Sequence, residues 1–463
     1  MIENFSLTKI LKRALKNGGD FAEIYADHAE NLQMIAEEHK LEKLISGIDQ
    51  GVGIRVLWNG QTAYGFTNEI TEKSLLSLAD SVASAVQGKN FQQIIKPKQV
   101  SAPLMSPIAQ FPATETAVAK KALVKRAEET AWGIDPRIKQ VKILYADIDK
   151  RVTMANSLGE LAQDRRIYTL MFVQVVAREG EQIQTGYYPV GGLVGLEILQ
   201  QNPPEQIAQR AVAQALLMLK ARRPPSGTMP VVISSEAGGT MVHEAIGHGL
   251  EADLACEGLS VYHGKLGTEV GNKKVTVVDD ATVPNKRGSF LFDDEGVPAE
   301  RTILVERGTL VNYMYDRHMA MKHGGRPTGN GRRESYRYKP ICRMTNTMIL
   351  PGQDDPDEII KTTERGLFVK KMGGGQVNTV NGDFVFEINE AYLIDKGKIG
   401  DPVRGAILTG NGPKVLQTID KIGTDLGFSL GTCGKDGQGV PVGDAQPTLR
   451  IPELVVGGAM DKA

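Results

Sequence analysis

Two histidines five residues apart, His243 and His248, place a strict condition on the local fold of this 463-residue chain. They stand in the sequence HEAIGH, where Glu244 follows the first histidine, and residues 230–235 before them are apolar and typical of a strand. On a regular α-helix, side chains five residues apart diverge by about 140°, because each residue turns about 100°. Both imidazoles can therefore reach one ion only if a π-bulge, a kink or a helix end lies between them.

Gly247 and Gly249 flank His248 and favour such a break, because glycine resists helix formation and tolerates unusual dihedral angles. Two imidazoles beside a glutamate indicate a metal site in which the glutamate acts on water. The alternative interpretation is a pair of surface or core histidines without a metal.

A hydrolytic zinc site normally has three protein ligands and one open position for water, so a third donor is needed. The spacing does not choose among the candidates, which are Glu251, Asp253, Cys256, His263 and Cys433. We interpret the segment LGTCGKDGQGVPVGD around Cys433 as a glycine-rich loop that lets the backbone approach a metal closely. The alternative for Cys433 is a small apolar residue in a turn.

The periodicity of the chain predicts an α+β fold with more than one domain. We predict an N-terminal α+β subdomain (1–96), a proline-rich linker (97–113), a middle α+β subdomain (114–224) and a β-rich C-terminal domain (225–463) that carries the histidines. The Arg-Pro-Pro-Ser-Gly sequence at 223–227 marks the last boundary. Helical spacing predicts helices near 6–17, 71–86, 114–132 and 204–222. Asn59-Gly60 between β-rich flanks predicts a type I′ hairpin turn.

The charge balance limits the kinds of partner the protein can bind, and the cysteines limit the cellular compartment in which it works. With 54 Lys+Arg against 55 Asp+Glu, the formal charge is −1, which leaves no global basic excess for nucleic acid or an anionic membrane. The odd count of three cysteines excludes a disulfide framework and favours a reducing compartment. No apolar run reaches the roughly 18 residues of a membrane span, and the first twenty residues do not resemble a signal peptide. We therefore predict a soluble cytoplasmic protein that binds neither nucleic acid nor membranes.

Two charged regions are interpreted as solvated. The basic segment NGRRESYRYKPICR at 330–343 is predicted to be an exposed strand or loop, with a peptide-binding groove as the alternative. The acidic pairs at 279–280 and 293–294 lack the order of a calcium-binding loop and are predicted to be solvated turns.

Four motifs make the whole chain resemble the TldD/PmbA family. They are HEAIGHGLEAD at 243–253, GTCGKDGQGVPVGD at 431–444, and the intervening NGRRESYRYKPICRMTNT and GGGQVNTVNGDFVFEI. The resemblance implies a metallopeptidase of the branch that keeps the metal motif, which the family's other paralogue lacks. It implies that His243, His248 and Cys433 bind Zn²⁺ and that Glu244 is the general base.

The resemblance also implies a flexible or unfolded peptide as the substrate. It further implies assembly either as a homodimer or as a heterodimer with the metal-free paralogue. Imidazole and thiolate donors favour zinc, and iron is the alternative metal. The alternative function is a non-catalytic regulatory or binding protein in which the metal is structural.

Overall fold

The computed structural model describes residues 2, 4–88, 93–102 and 107–458, so residues 103–106 of the predicted linker lie outside the described residues. The predicted α+β class is confirmed. The helices are α1 Leu7–Ala14, α2 Glu72–Ser84, α3 Ala117–Ile134, α4 Glu197–Gln201, α5 Pro204–Leu219, α6 Thr240–Val242, α7 Ala252–Ala255, α8 Arg317–His323, α9 Pro356–Lys361 and α10 Gly412–Thr418. Short 3₁₀ turns lie at Pro112–Thr114, Ser235–Ala237 and His248–Leu250, and a π-helical turn lies at His243–Gly247.

Strands provide the framework. They are β1 Phe21–Glu37, β2 Lys40–Trp58, β3 Gln61–Thr67, β4 Lys98–Gln99, β5 Ile138–Asn156, β6 Glu160–Glu179, β7 Gln182–Gly192, β8 Gly227–Ile233, β9 Val277–Asp280, β10 Arg301–Glu306, β11 Thr309–Leu310, β12 Gly331–Arg332, β13 Ile341–Cys342, β14 Asn346–Ile349, β15 Arg365–Val377, β16 Asp383–Asp395, β17 Lys398–Val403, β18 Ala406–Asn411, β19 Lys421–Ile422, β20 Gly427–Lys435, β21 Gln438–Gln446 and β22 Leu449–Gly458.

Strands from both sides of the predicted linker form one sheet. Its order is β3-β2-β1-β5-β6-β4, and β7 also pairs with β6. The junction is the long antiparallel pairing of β1 with β5, which runs from Glu23 opposite Asn156 to Glu37 opposite Lys142. The predicted stretches 1–96 and 114–224 therefore share a single N-terminal sheet.

The two faces of this N-terminal sheet have different partners, because successive side chains of a strand point to opposite faces. On β5, Ile143 and Tyr145 pack in the core that includes α3 and α5. Val152 and Met154 of the same strand point the other way and pack with Phe292 of the C-terminal domain. Helices thus cover one face, and the C-terminal domain covers the other.

Local sequence signals are confirmed in this half of the chain. Asn59 and Gly60 have φ of 47° and 70°, and Trp58 pairs with Gln61 across them, as a two-residue type I′ turn requires. Helix α2 begins where predicted, and its N-cap Thr71 accepts a hydrogen bond from the backbone N–H of Ser74. Such a cap contributes about 0.5–2 kcal/mol.

The C-terminal domain contains two main sheets. One is six-stranded, in the order β11-β10-β9-β14-β21-β20. In the other, β15, β8, β22, β18 and β16 pair in a closed ring, since β15 pairs with both β8 and β16. The segment that carries the two histidines follows β8 and packs in the large core between these sheets.

The prediction that the basic segment is solvated is wrong for three of its residues. Arg332, Arg333 and Arg343 are at most 2% exposed. Arg333 pairs with Glu23 of β1, which also pairs with Arg55, so these buried charges connect the N-terminal sheet to the C-terminal domain. Buried guanidinium groups of this kind are retained because carboxylates and carbonyls satisfy them.

The acidic pairs are also buried, contrary to the prediction of solvated turns. Asp279, Asp293 and Asp294 are at most 2% exposed, and Asp280 is 7% exposed. Asp279 accepts hydrogen bonds from the backbone N–H and the hydroxyl of Thr345. The carboxylates organise the interior by accepting hydrogen bonds from protein donors instead of water.

Candidate metal centre

A π-helical turn supplies the break that the five-residue spacing requires. Helix α6 ends at Val242, the π turn spans His243–Gly247, and a 3₁₀ turn begins at His248. The backbone N–H of His248 donates to the carbonyl oxygen of His243, which is the i to i+5 hydrogen bond of a π turn. One extra residue in this turn brings both imidazoles to one side, with ring centroids 5.1 Å apart and planes at 89°.

The glycine at 247 has a different role from the predicted one. Its φ of −57° and ψ of −50° are ordinary helical values, so the break does not depend on unusual dihedral angles. A β-carbon at this position would instead clash with the sulfur of Met344. Gly247 is therefore required by close packing against the core.

Cys433 lies in a β-strand, which corrects the predicted glycine-rich loop. It is in β20, where it pairs with Val440 of β21. The hairpin turn is Asp436-Gly437, whose φ values of 51° and 71° define a type I′ turn like that at Asn59-Gly60. The Asp-Gly signal was present in the sequence, but the surrounding glycines obscured the strands beside it.

His243, His248 and Cys433 converge, although they come from two separate parts of the chain. Their ligand atoms lie within 4.8 Å of one another, and His248 Nε2 is 3.5 Å from Cys433 Sγ. Because zinc binds nitrogen and sulfur at about 2.0–2.3 Å, three donors to one ion have to lie within about 4–5 Å of each other. His243 Nδ1 is buried without a hydrogen-bond partner among the described residues. The donor types, their spacing and this unsatisfied nitrogen all fit a metal ion.

The other candidate donors have different partners. Glu251 accepts from His248 Nδ1 at 3.0 Å, and Asp253 pairs with Lys435 at 2.7 Å. Cys256 Sγ lies 3.5 Å from the Tyr315 hydroxyl, and His263 Nδ1 contacts the carbonyl oxygen of Ala255 at 2.6 Å.

The low pKa of the Cys433 thiol in the metal-free site also favours binding of a cation. Burial opposes ionisation of the Cys433 thiol, but His243 and His248 outweigh it and lower the thiol pKa to about 5. Burial likewise opposes protonation of both imidazoles, yet their pKa values are raised by Cys433 and, for His248, by Glu251. In the metal-free chain the two imidazoles therefore stabilise the thiolate, which is the form of cysteine that binds metal.

A buried ion-pair chain orients His248. Because a carboxylate only accepts, His248 Nδ1 donates to Glu251, which leaves Nε2 directed at Cys433. Glu251 is fully buried, and Lys435 pairs with it at 3.0 Å. Burial favours the neutral carboxyl, but Lys435 and His248 lower the Glu251 pKa to about 2.

Glu244 lies beside the three donors. Its Oε2 is 3.8 Å from His248 Nε2, the ring nitrogen that also faces Cys433. The Glu244 side chain is 27% exposed, so solvent can reach it. Burial raises the pKa of the carboxyl, although the charges of His243 and His248 oppose the shift. A raised pKa suits a group that takes and returns a proton near neutral pH.

Sequence reasoning missed three supporting residues. Arg343 donates to the carbonyl oxygen of Cys433, Lys435 anchors Glu251, and the buried Asp444 lies close enough to interact with the charge of His243. Lys435 and Asp444 lie within the motif around Cys433, but nothing in their spacing distinguishes them from turn residues.

Comparison with known sequences identifies the class. Models of three domains match consecutive parts of the chain: PmbA/TldA metallopeptidase domain 1 at 22–86, the central domain at 112–219 and the C-terminal domain at 226–458. The fold and site thus belong to a class of metallopeptidases. The chain is a member of the TldD/PmbA family.

Individual relatives agree with this assignment. The chain is 37% identical to the metalloprotease TldD homolog of Haemophilus influenzae, over 95% of this chain and 93% of the relative. It is 36% identical to a metalloprotease of Methanothermobacter thermautotrophicus, over 95% and 96% of the two chains.

A solved structure shares the fold. A Thermotoga maritima protein, named as a supposed modulator of a DNA gyrase, superimposes with a TM-score of 0.81 at 23% identity and covers 97% of this chain and 99% of its own.

Membership of a metallopeptidase family implies a metal cofactor, and the His243, His248 and Cys433 group could hold it. None of the described helices combines the length and apolarity that a membrane-spanning helix needs.

Metal binding can be tested with variants of the three donors, using a cysteine outside the site as the control. We expect Cys433→Ser and His248→Ala to lose stoichiometric metal, because each removes one of three converging donors, and Cys256→Ser to keep it. Glu251→Ala is expected to weaken zinc binding about 10–100-fold, since it releases the orientation of His248. Metal content after dialysis, with zinc titration against a competing chelator, measures both effects. Full zinc retention by Cys433→Ser would exclude this centre.

The thiol pKa predicts a pH dependence in the metal-free protein. Thiolate absorbance near 240 nm, taken as wild type minus Cys433→Ser, is expected to rise with a midpoint near pH 5. Because this folded-state pKa lies below the ordinary value of about 8.5, the thiolate stabilises the fold above about pH 8.5, and the contribution is lost as pH falls through 5. A midpoint at pH 8 or higher would show that the imidazoles do not interact with the sulfur.

Proposed function

We propose that the protein is a zinc-dependent metallopeptidase that hydrolyses peptide bonds in unfolded or flexible peptides. The observation that supports this most directly is the position of Glu244 beside three converging donors from separate elements. His243, His248 and Cys433 would hold the zinc. When bound, zinc supplies Lewis acidity, which lowers the pKa of water and polarises a peptide carbonyl.

The residues of the chain provide the proton transfer. Glu244 takes a proton from water and returns it to the amine that leaves, and its raised pKa supports both steps. Glu251 holds His248 in one orientation, because this buried carboxylate binds the ring and is itself paired with Lys435.

An extended peptide fits the surroundings better than a folded one. Strand β20 ends its sheet and, among the described residues, pairs only with β21, so its other edge can accept main-chain hydrogen bonds. A groove of about 390 Å³ lies along its first residues, between Phe428 and Leu430 on one side and Tyr187 and Tyr188 of β7 on the other. Recognition through main-chain groups would give weak sequence preference.

The general base can be tested without removing the metal. We expect Glu244→Gln to keep stoichiometric zinc and to lower the rate of cleavage of an unstructured peptide by about 10²–10⁴-fold. Glu269→Gln is the matched control, because Glu269 is an exposed residue on the surface. Wild-type cleavage by zinc-loaded Glu244→Gln would refute the assignment of the base.

The alternative, a binding or regulatory protein with a structural metal, gives a different result in the same assay. If this alternative holds, zinc-loaded wild-type protein cleaves no unstructured peptide, and chelators destabilise its fold. The peptidase requires cleavage that chelators abolish and added zinc restores. The accessibility of Glu244 favours the peptidase, because a structural zinc site is normally closed by a fourth protein ligand.

We also propose that the chain forms a dimer, with either a second copy or the metal-free paralogue. Strand β3 pairs with β2 only from Val52 onwards, so the preceding part of β2 has one strand partner within the described ranges, β1. In that part Leu44, Ile45 and Ile48 are 50%, 43% and 64% exposed. An unpaired edge with exposed apolar side chains is a surface that another strand can cover.

Light scattering after gel filtration tests this surface. We expect the isolated wild type to have twice the 50.2-kDa chain mass and Ile48→Lys to have the single-chain mass. Val118→Lys, on the exposed surface of α3, is the control and should remain a dimer. A wild type with the single-chain mass would exclude the homodimer and leave the paralogue as the partner.

A further inference from the structure

A second cavity lies behind the hairpin that carries Cys433. It has a volume of about 340 Å³ and is enclosed by Ile148 and Tyr168 of the N-terminal sheet and by Thr432 and Pro441 of the β20–β21 hairpin. Thr432 and Cys433 are consecutive in a strand, so their side chains point to opposite faces. The cavity is therefore separated from the metal centre by the hairpin itself.

Cations dominate the lining of this cavity. Five basic side chains line it, against two carboxylates, Asp294 and Glu334. The basic residues are Lys150, Arg166, Arg287, Arg332 and Arg333.

Three of the five cations are neutralised by carboxylates of the protein. Lys150 pairs with Asp27 at 3.2 Å, and Arg166 pairs with Asp294 at 2.8 Å. Arg333 pairs with Glu23.

The other two cations, Arg287 and Arg332, form no ion pair with a carboxylate of the described residues. Arg287 donates to the carbonyl oxygen of Gly431 at 3.1 Å and contacts the Thr432 hydroxyl at 3.4 Å. Arg332 is 2% exposed and donates only to carbonyl oxygens, including that of Pro441 at 2.6 Å. Its Nε has no partner among the described residues.

Tyr168 lines the cavity beside these groups. The guanidinium of Arg287 is 5.8 Å from the centre of its ring. Burial raises the pKa of its hydroxyl, and the charges of Arg166, Arg332 and Arg287 oppose that shift. The phenol is thus a neutral hydrogen-bond donor beside two cations. This combination matches an oxyanion, because guanidinium groups bind carboxylate and phosphate oxygens through paired N–H donors.

An uncompensated cation inside a protein is costly, and an anion that enters the cavity would offset that cost. We infer that this cavity binds a small oxyanion, a phosphate or a carboxylate, between Arg287, Arg332 and Tyr168. The same arginines hold the carbonyl oxygens of Gly431 and Pro441 on either strand of the hairpin.

Calorimetric titration of the zinc-loaded protein with inorganic phosphate tests the inference. We expect one phosphate per chain in the wild type and an affinity at least about tenfold lower in Arg287→Gln. Arg287→Lys, which keeps the charge, should retain part of the affinity. Arg301→Gln, at an arginine that is half-exposed and does not line the cavity, should bind like the wild type. Chloride at matched ionic strength controls for non-specific salt effects.

The variants also separate this site from the metal. Phosphate that binds zinc directly would bind equally well to Arg287→Gln, and that result would overturn the inference, as would a wild type that shows no saturable binding. Unchanged zinc content and circular dichroism show that Arg287→Gln is folded, and Tyr168→Phe provides a second variant that removes only a hydroxyl. Parallel titration with acetate shows whether carboxylates share the site with phosphate.

Discussion

The hydrogen bond from the His248 N–H to the His243 carbonyl oxygen determines the geometry of the centre. In a regular helix the His248 N–H would donate to the backbone carbonyl oxygen of Glu244, and the two imidazoles would point apart. The π turn shifts that bond by one residue, and the rings then meet at 5.1 Å. Such a turn is tolerated here because the large core packs around it, with Met344 occupying the space beside Gly247.

The third donor depends on a different kind of structure, a hairpin whose position is fixed by charge. Lys435, two residues after Cys433, reaches Glu251 and Asp253 of the segment that follows the π turn. Glu251 in turn holds His248. The strand and the helical segment are therefore joined by a buried network of ion pairs as well as by the contact between Cys433 and His248.

How much could be predicted from the sequence depends on how local each feature is. The type I′ turn at Asn59-Gly60 was predictable because two adjacent residues determine it. The break between His243 and His248 was also predictable, but only as one of three possible irregularities. Spacing did not choose Cys433 among five donors, because that choice depends on a contact across 185 positions of the chain; only the family resemblance implied it.

Burial of charge was the feature that sequence reasoning could not predict. Arg333 resembles a solvated residue in its own segment, and only its partner Glu23, 310 positions away, shows why it is interior. Likewise, the glycines around Cys433 predicted a loop, whereas the Asp436-Gly437 turn and the pairing with β21 make the segment a strand. In both cases the local composition was overruled by tertiary contacts.

Side chains along β20 alternate between two sites on opposite faces of the hairpin, so the register of the strand decides which residue faces which site. Cys433 faces the metal donors and Thr432 faces the arginine cavity, because neighbouring side chains of a strand point to opposite faces. A slip of β20 by one residue would exchange the two faces, placing a hydroxyl among the imidazoles and a thiol among the guanidinium groups. Insertions within this strand are thus constrained by an odd-or-even rule: those that shift the register by two residues keep the sulfur on the metal-facing side, and those that shift it by one do not.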